Sequence, residues 1–248
     1  MENTSKPRIL FYDIETMAAL VYTWSNYKTN VIATEQDWYM LSVAWSWVGD
    51  DNIYFSRKSK KKGDDKALVK RVWTLLDEAD IVVAHNGDSF DQRKCNARFI
   101  ELGMPPPSPY QTIDTKKIAA RAAYNYSNKL DELSRRLGLG RKLDTLGFAT
   151  WLGCAAENSK AWKLMEKYNI HDIVLLENLY YKLLPWIDSV NMAHWAEGKL
   201  ACRRCGSRNV QKRGVRRTNA STFQTYRCND CGGWSRAPKA DKLRPGVR

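Results

Sequence analysis

Ile9-Leu10-Phe11-Tyr12-Asp13-Ile14-Glu15-Thr16 is a β-branched and aromatic run interrupted by two acids. Side chains alternate faces along a strand, so Ile9, Phe11, Asp13 and Glu15 share one side and two carboxylates project together from the strand end. Further along, Ile81-Val82-Val83-Ala84 reads as an apolar strand followed by a Gly-containing turn. A helix is expected to begin near Ser89, which puts Asp91 in its first turn. A third segment, from about Ser159 to Leu184, has helical periodicity. Leu164, Met165, Tyr168, Asp172, Leu175, Leu176 and Leu179 form one stripe, and Tyr168 and Asp172, four apart, share its face.

Taken singly, each acid has an ordinary reading. Asp13 or Glu15 alone is a strand-end charge in solvent, and Asp91 alone is a first-turn charge favoured by the helix dipole. Asp172 resists that treatment, because a bare Asp in mid-stripe is uncommon unless paired. Together, the like charges and partial burial of such a cluster require compensating cations. Oxygen ligands with no Cys or His pair beside them suit Mg or Mn better than Zn. Two such ions about 3.5–4 Å apart clamp the attacking and leaving oxygens of an in-line phosphoryl displacement, so the implied chemistry is phosphodiester hydrolysis.

Asp13-x-Glu15, Asn86-x3-Phe90-Asp91 and Tyr168-x3-Asp172 resemble, in order and spacing, the three motifs of the DEDD exonucleases of the DnaQ-like, RNase H-fold group, over roughly residues 7–187. The histidine branch of that group would need His at position 167, where this chain has Lys167. His171 would point about 100° away from Asp172 on a helix. The pattern is therefore similar to the tyrosine branch. The resemblance implies that Asp13, Glu15, Asp91 and Asp172 hold two Mg or Mn ions, that Tyr168 positions the attacking water, and that nucleotides leave from a free 3′ end. Lys129-Leu130-Asp131-Glu132-Leu133 followed by Leu137-Gly138-Leu139 resembles standalone exonucleases encoded by bacteriophages, which would place the chain in a bacterial cytoplasm. Single-stranded DNA is the expected substrate, with a DNA polymerase or replication assembly as a further partner. An exoribonuclease of the same fold is the alternative enzyme, and a nucleic-acid-binding adaptor of a replication or repair complex is the alternative from another class.

Cys202-x2-Cys205 and Cys228-x2-Cys231 are separated by 22 residues, and a Gly follows each pair at Gly206 and Gly232. That is zinc-ribbon spacing, with four thiolates closing one structural Zn site. Disulfides are disfavoured because the chain start does not read as a signal peptide. Cys95 and Cys154 have no partner pattern and are expected to be buried small residues. Residues 199–248 carry 14 Lys and Arg against 2 Asp and Glu, while residues 1–198 carry 26 against 25, so nearly all of the net charge of +13 rides on the C-terminus. Arg213, Arg216, Arg217 and Arg227 interleave with Phe223 and Tyr226, and Trp234 follows the second Cys pair. Basic groups neutralise phosphates and aromatic faces stack bases, so these seven residues are candidate nucleic-acid contacts, with a solvated surface and a small aromatic core as the other reading. Trp24, near the first motif, is a candidate to stack terminal bases. Asn86 either touches substrate or builds its turn. The run from Arg57 to Gly63 meets a DNA backbone or is a solvated loop.

The expected fold class is α/β: an RNase H-like mixed sheet flanked by helices, plus a small C-terminal zinc ribbon. Its parts are a catalytic domain over 1–198, a four-cysteine zinc ribbon over 199–237 and a basic tail over 238–248. The sheet would open antiparallel, with Tyr39–Val48 and Asn52–Ser56 joined by a Gly49-Asp50-Asp51 turn. A helix over Asp65–Asp77, the strand Ile81–Ala84, a helix to about Leu102 and a short strand at Thr112-Ile113-Asp114 would follow. No apolar stretch approaches the ~20 residues that span a bilayer.

Overall fold

Strand β1 (Ile9–Met17) alternates as its sequence demands. Ile9 and Phe11 enter one apolar cluster, and Leu10, Tyr12 and Ile14 enter another on the opposite face of the sheet. The computed structural model describes residues 6–27, 29–196, 198–240 and 242–243. After β1 come β2 (Leu20–Tyr22) and β3 (Ala33–Gln36), a small hairpin within the polar and aromatic segment that follows the first motif. Next are β4 (Tyr39–Trp47), β5 (Tyr54–Arg57), α1 (Lys66–Asp77), β6 (Ile81–Ala84), α2 (Asp91–Glu101) and β7 (Gln111–Asp114). Three short helices, α3 (Thr115–Ala122), α4 (Leu130–Arg136) and α5 (Phe148–Ala155), lead to the long α6 (Ser159–Leu183). Two 3-10 turns, Leu184–Trp186 and Met192–Trp195, then precede β8 (Val210–Arg217), β9 (Ser221–Cys228), β10 (Trp234–Arg236) and β11 (Lys242–Leu243).

The main sheet runs β5-β4-β1-β6-β7. Its first three strands are antiparallel, and β1, β6 and β7 are parallel, so this is the expected mixed sheet with its hairpin opening. Helices cover both faces. On one side α1 buries Leu68, Val69, Val72, Leu75 and Leu76, and α2 buries Cys95 and Phe99. On the other, α3 and α4 join α6, which contributes Ile173, Leu175, Leu176 and Leu179. Each of those α6 side chains gains about 1.5–3 kcal/mol from burial, which fixes the helix's rotation about its axis. The face of β4 toward α6 carries Ser42 and Ala44, both fully buried and paired with Glu15 and Asp13 of β1. Small residues there let the polar part of α6 approach the sheet closely.

The helix expected near Ser89 starts at Asp91, after a turn in which Asn86 takes a left-handed φ of 69°. In the basic run at 57–63, Lys58 is buried and ion-paired with Glu157, so it belongs to the body rather than to a solvated loop. In the expected basic tail, residues 241 and 244–248 lie outside the described residues. Among those described, no helix is long and apolar enough to cross a membrane.

Candidate metal centre

β1 delivers Asp13 and Glu15 to the face that α6 covers, and α6 delivers Asp172 against them. One carboxylate oxygen from each of the three lies within 4.8 Å of the others. Asp91, at the start of α2, is buried beside this trio, and its Oδ1 accepts a hydrogen bond from the Ile14 backbone N–H at 3.2 Å. Asp172 is 1% exposed and its Oδ1 has no hydrogen-bond partner among the described residues. A buried carboxylate oxygen without a donor is costly, and a cation there would remove the cost.

Burial, reinforced by Glu15, Asp91 and Asp172, holds the Asp13 carboxyl well above the usual range. Burial likewise lifts Glu15 to about 7 against the pull of Lys142, and Asp91 to about 7 against the Ile14 hydrogen bond. Asp172 is also raised by burial, with Lys142 opposing. The site therefore binds protons in place of cations. A carboxyl whose folded pKa exceeds its unfolded value of about 4 contributes stability that is full below that value and lost as pH rises through the folded pKa. The melting temperature of metal-free protein should accordingly fall as pH is raised from about 5 to 8, and saturating Mg or Mn should flatten that fall. Thermal melts across pH with EDTA or metal check this; parallel profiles would contradict it.

Two residues of the site escape sequence reading. Asn169, fully buried, donates from Nδ2 to Asp13 Oδ2 at 2.8 Å and accepts from Ser42 Oγ at 2.9 Å, so it clamps one oxygen of Asp13 and leaves the other for a ligand. It sits on the same stripe as Met165 and Asp172, and its polarity there is the available signal. Asn169→Leu should cost about 1–3 kcal/mol of stability, because Ser42 loses its acceptor and Asp13 its donor. Denaturant unfolding measures this, and an unchanged midpoint would refute the clamp. Lys142 is the second. Its Nζ donates to Asp172 Oδ2 at 2.5 Å and to the Tyr168 hydroxyl at 2.9 Å. Burial would depress this ammonium, yet the neighbouring carboxylates hold it raised. Asp131 of α4 places it by accepting the Lys142 backbone N–H at 2.8 Å.

Tyr168 borders the trio, with Trp151 of α5 edge-on to its ring at 5.9 Å. Burial and then Asp172 push its phenol up, so it stays protonated. His171 is turned away from the trio, its Nε2 lying 2.7 Å from the Arg141 carbonyl. Asn86 builds its turn: its N–H donates to Asp114 Oδ1 and its Oδ1 accepts from Lys116. Trp24 is 92% exposed beyond β2.

The four C-terminal cysteines also converge, with their Sγ atoms within 4.8 Å of one another. Cys202 to Cys231 and Cys205 to Cys228 are each 3.7 Å apart, too far for a disulfide and close to the ~3.8 Å edge of a tetrahedron built on ~2.3 Å Zn–S bonds. Gly206 and Gly232 adopt φ of 75° and 74°, the left-handed turn that closes each knuckle. The donor set and spacing are compatible with a zinc ribbon. Cys95 and Cys154 are buried and free.

The candidate nucleic-acid contacts of this region divide between two faces. Arg216 pairs across to Phe223, and Arg227 pairs with Trp234, so those four share one face, where the Arg236 guanidinium lies 4.0 Å over the Phe223 ring. Arg217 pairs with Thr222, and Tyr226 with Lys212, on the opposite face. Arg213 falls in the register shift between Lys212 and Val215.

A family model described as RNase_H superfamily matches residues 10–184. No curated protein matches the chain. Among solved structures, the family B DNA polymerase from the hyperthermophilic archaeon Pyrobaculum calidifontis is similar in fold, with a TM-score of 0.56 and 14% identity. That similarity covers 86% of this chain and 31% of the polymerase chain, so this protein spans about a third of the polymerase's length.

Proposed function

Since the chain belongs to the RNase H superfamily, we propose that it is a metal-dependent 3′-to-5′ exonuclease of the tyrosine DEDD branch, acting on single-stranded DNA. The observation that carries this reading is the convergence of Asp13, Glu15 and Asp172 around a buried carboxylate oxygen that lacks a donor. Asp13, Glu15 and Asp172, with Asp91 beside them, would hold two Mg or Mn ions. Bound there, such ions supply acidified water and charge neutralisation for an in-line phosphoryl displacement.

The protein's own groups do the positioning. Asn169 fixes one oxygen of Asp13. Tyr168, kept protonated, orients the attacking water by hydrogen bonding and is no general base. Lys142 partly neutralises Asp172 and steadies the phenol, and its charge faces the incoming phosphate. The division into a catalytic body at 1–198, a zinc ribbon at 199–237 and a basic tail at 238–248 assigns chemistry to the first part and grip to the others. Standalone bacteriophage exonucleases working in a bacterial cytoplasm, beside a polymerase or replication assembly, are the setting this reading favours.

Oligonucleotides labelled at either end test polarity and sugar choice. Stepwise shortening of 5′-labelled single-stranded DNA from its 3′ end is expected. Release of label as a mononucleotide from the 5′ end would overturn the polarity, and cleavage of RNA alone would make the enzyme an exoribonuclease.

A further inference from the structure

At the foot of α6, where the 3-10 turn Leu184–Trp186 meets the second cysteine knuckle, lies a cleft of about 550 Å³ lined by Trp186, Arg204, Gly233, Trp234, Arg121 and Asp188. Two tryptophans from different parts of the chain border it, and both stay exposed, Trp186 at 61% and Trp234 at 52%. Two exposed tryptophans brought to one cleft form an aromatic patch rimmed by charge, the kind of surface that marks a binding site. Arg204 enters from the first knuckle, donates to the Ile187 carbonyl, and keeps its Nε buried without a partner among the described residues. Gly233 makes room for it: a Cβ there would come within 2.8 Å of Arg204 Cγ. At the rim, Arg121 pairs with Asp188. Trp234, which lines the cleft, lies on the sheet face that carries Arg227, Arg216 and the Arg236–Phe223 stack.

We propose that this cleft is a second nucleic-acid subsite, in which a base of single-stranded substrate stacks on Trp186 and Trp234 while the strand's phosphates lie along the cationic face of β8–β10. The inference rests on the nuclease reading and adds to it a place where body and ribbon hold one strand jointly. Charge complementarity chooses the occupant: 14 basic residues against 2 acidic over 199–248 match a polyphosphate backbone, and aromatic faces tolerate any base. From Asp172 to the end of α6 is about 17 Å along the helix, at about 1.5 Å per residue. A strand stacked at about 3.4 Å per nucleotide covers that in roughly five steps. That span is a minimum, since the cleft lies beyond the helix end, so a trinucleotide bound at the metal centre does not reach the cleft and a 20-nucleotide strand has length to spare.

The test uses the full chain in its zinc-loaded form, with Trp186→Ala, Trp234→Ala and the conservative Trp186→Phe. Affinity for a 20-nucleotide single strand, DNA or RNA, is read by fluorescence anisotropy with Ca in place of Mg, and trinucleotide hydrolysis is read with Mg. Each alanine variant should weaken 20-mer binding by about 5-fold or more, Trp186→Phe should retain most of the affinity, and trinucleotide turnover should match wild type. Unchanged 20-mer affinity in both alanine variants would overturn the subsite and leave the cleft to a protein. Equal losses on trinucleotide and 20-mer would also overturn it, because the tryptophans would then act on the body as a whole. Absence of Mg-dependent hydrolysis of the 20-mer by wild type would strike the nuclease reading itself, and the anisotropy arm would still report on the cleft.

Discussion

Asp172→Asn should abolish metal-dependent hydrolysis, lowering turnover by about a thousandfold or more, while leaving the metal-free protein folded. The loss follows because the carboxamide keeps the shape but removes one of three converging anions, and cation stabilisation of a phosphoryl transition state amounts to several kcal/mol. Folding should survive because the apo site is overcrowded: burial lifts Glu15 and Asp91 to about 7 and also raises Asp13 and Asp172. Removing one negative charge relieves that crowding, although Lys142 loses its partner on Asp172. The variant's melting temperature should therefore rise less on adding Mn than the wild type's does. Single-turnover kinetics with paired melts measures both effects. A variant retaining wild-type rate, or one whose melt still shifts fully with Mn, would remove Asp172 from the centre.

Cys228→Ser should release zinc and unfold the C-terminal sheet without melting the body. The sheet β8–β11 has little core of its own: Val215 and Trp234 are exposed, and the buried residues of the region are the two ligand cysteines Cys202 and Cys228 with the small Ala201 and Gly233. Folding there must come largely from metal ligation, which in small zinc modules is worth about 10–16 kcal/mol in apparent binding. Elemental analysis should find one Zn per wild-type chain and none in the variant. Amide exchange should lose protection over residues 210–236 while β1, β4 and α6 keep theirs. Retained protection without zinc would make the cluster a set of ordinary thiols with no metal role.

Much of the fold is legible in the sequence because its strongest signals are periodic. The period of two in Ile9–Thr16 assigns Asp13 and Glu15 to one face without knowledge of any partner, and the stripe on α6 assigns Asp172 the facing position. The Cys spacing needs no periodicity, since four thiols at two knuckles have one economical arrangement. The helices α3, α4 and α5 escape sequence reading, being seven or eight residues each and too short for a periodic signal to separate from loop. Lys142 is invisible for a different reason. It lies in an aperiodic stretch and reaches Tyr168 and Asp172 only because Asp131 captures its backbone, a tertiary event with no local sequence mark. The basic and aromatic residues of β8 and β9 stand out as a group, but the sequence does not say which share a face. The register shift between Lys212 and Val215 decides that, sending Arg216 and Phe223 one way and Lys212 and Tyr226 the other.

The most direct measurement is hydrolysis of a single-stranded DNA oligonucleotide by zinc-loaded wild-type protein freed of Mg and Mn, as either ion is added back. The account predicts no cleavage in EDTA while zinc remains in the ribbon, and recovery of nucleotide release with added metal, steeper at pH 8 than at pH 6 because protons and cations compete for the same carboxylates. Cleavage that persists in EDTA, or none at any metal concentration, would contradict it.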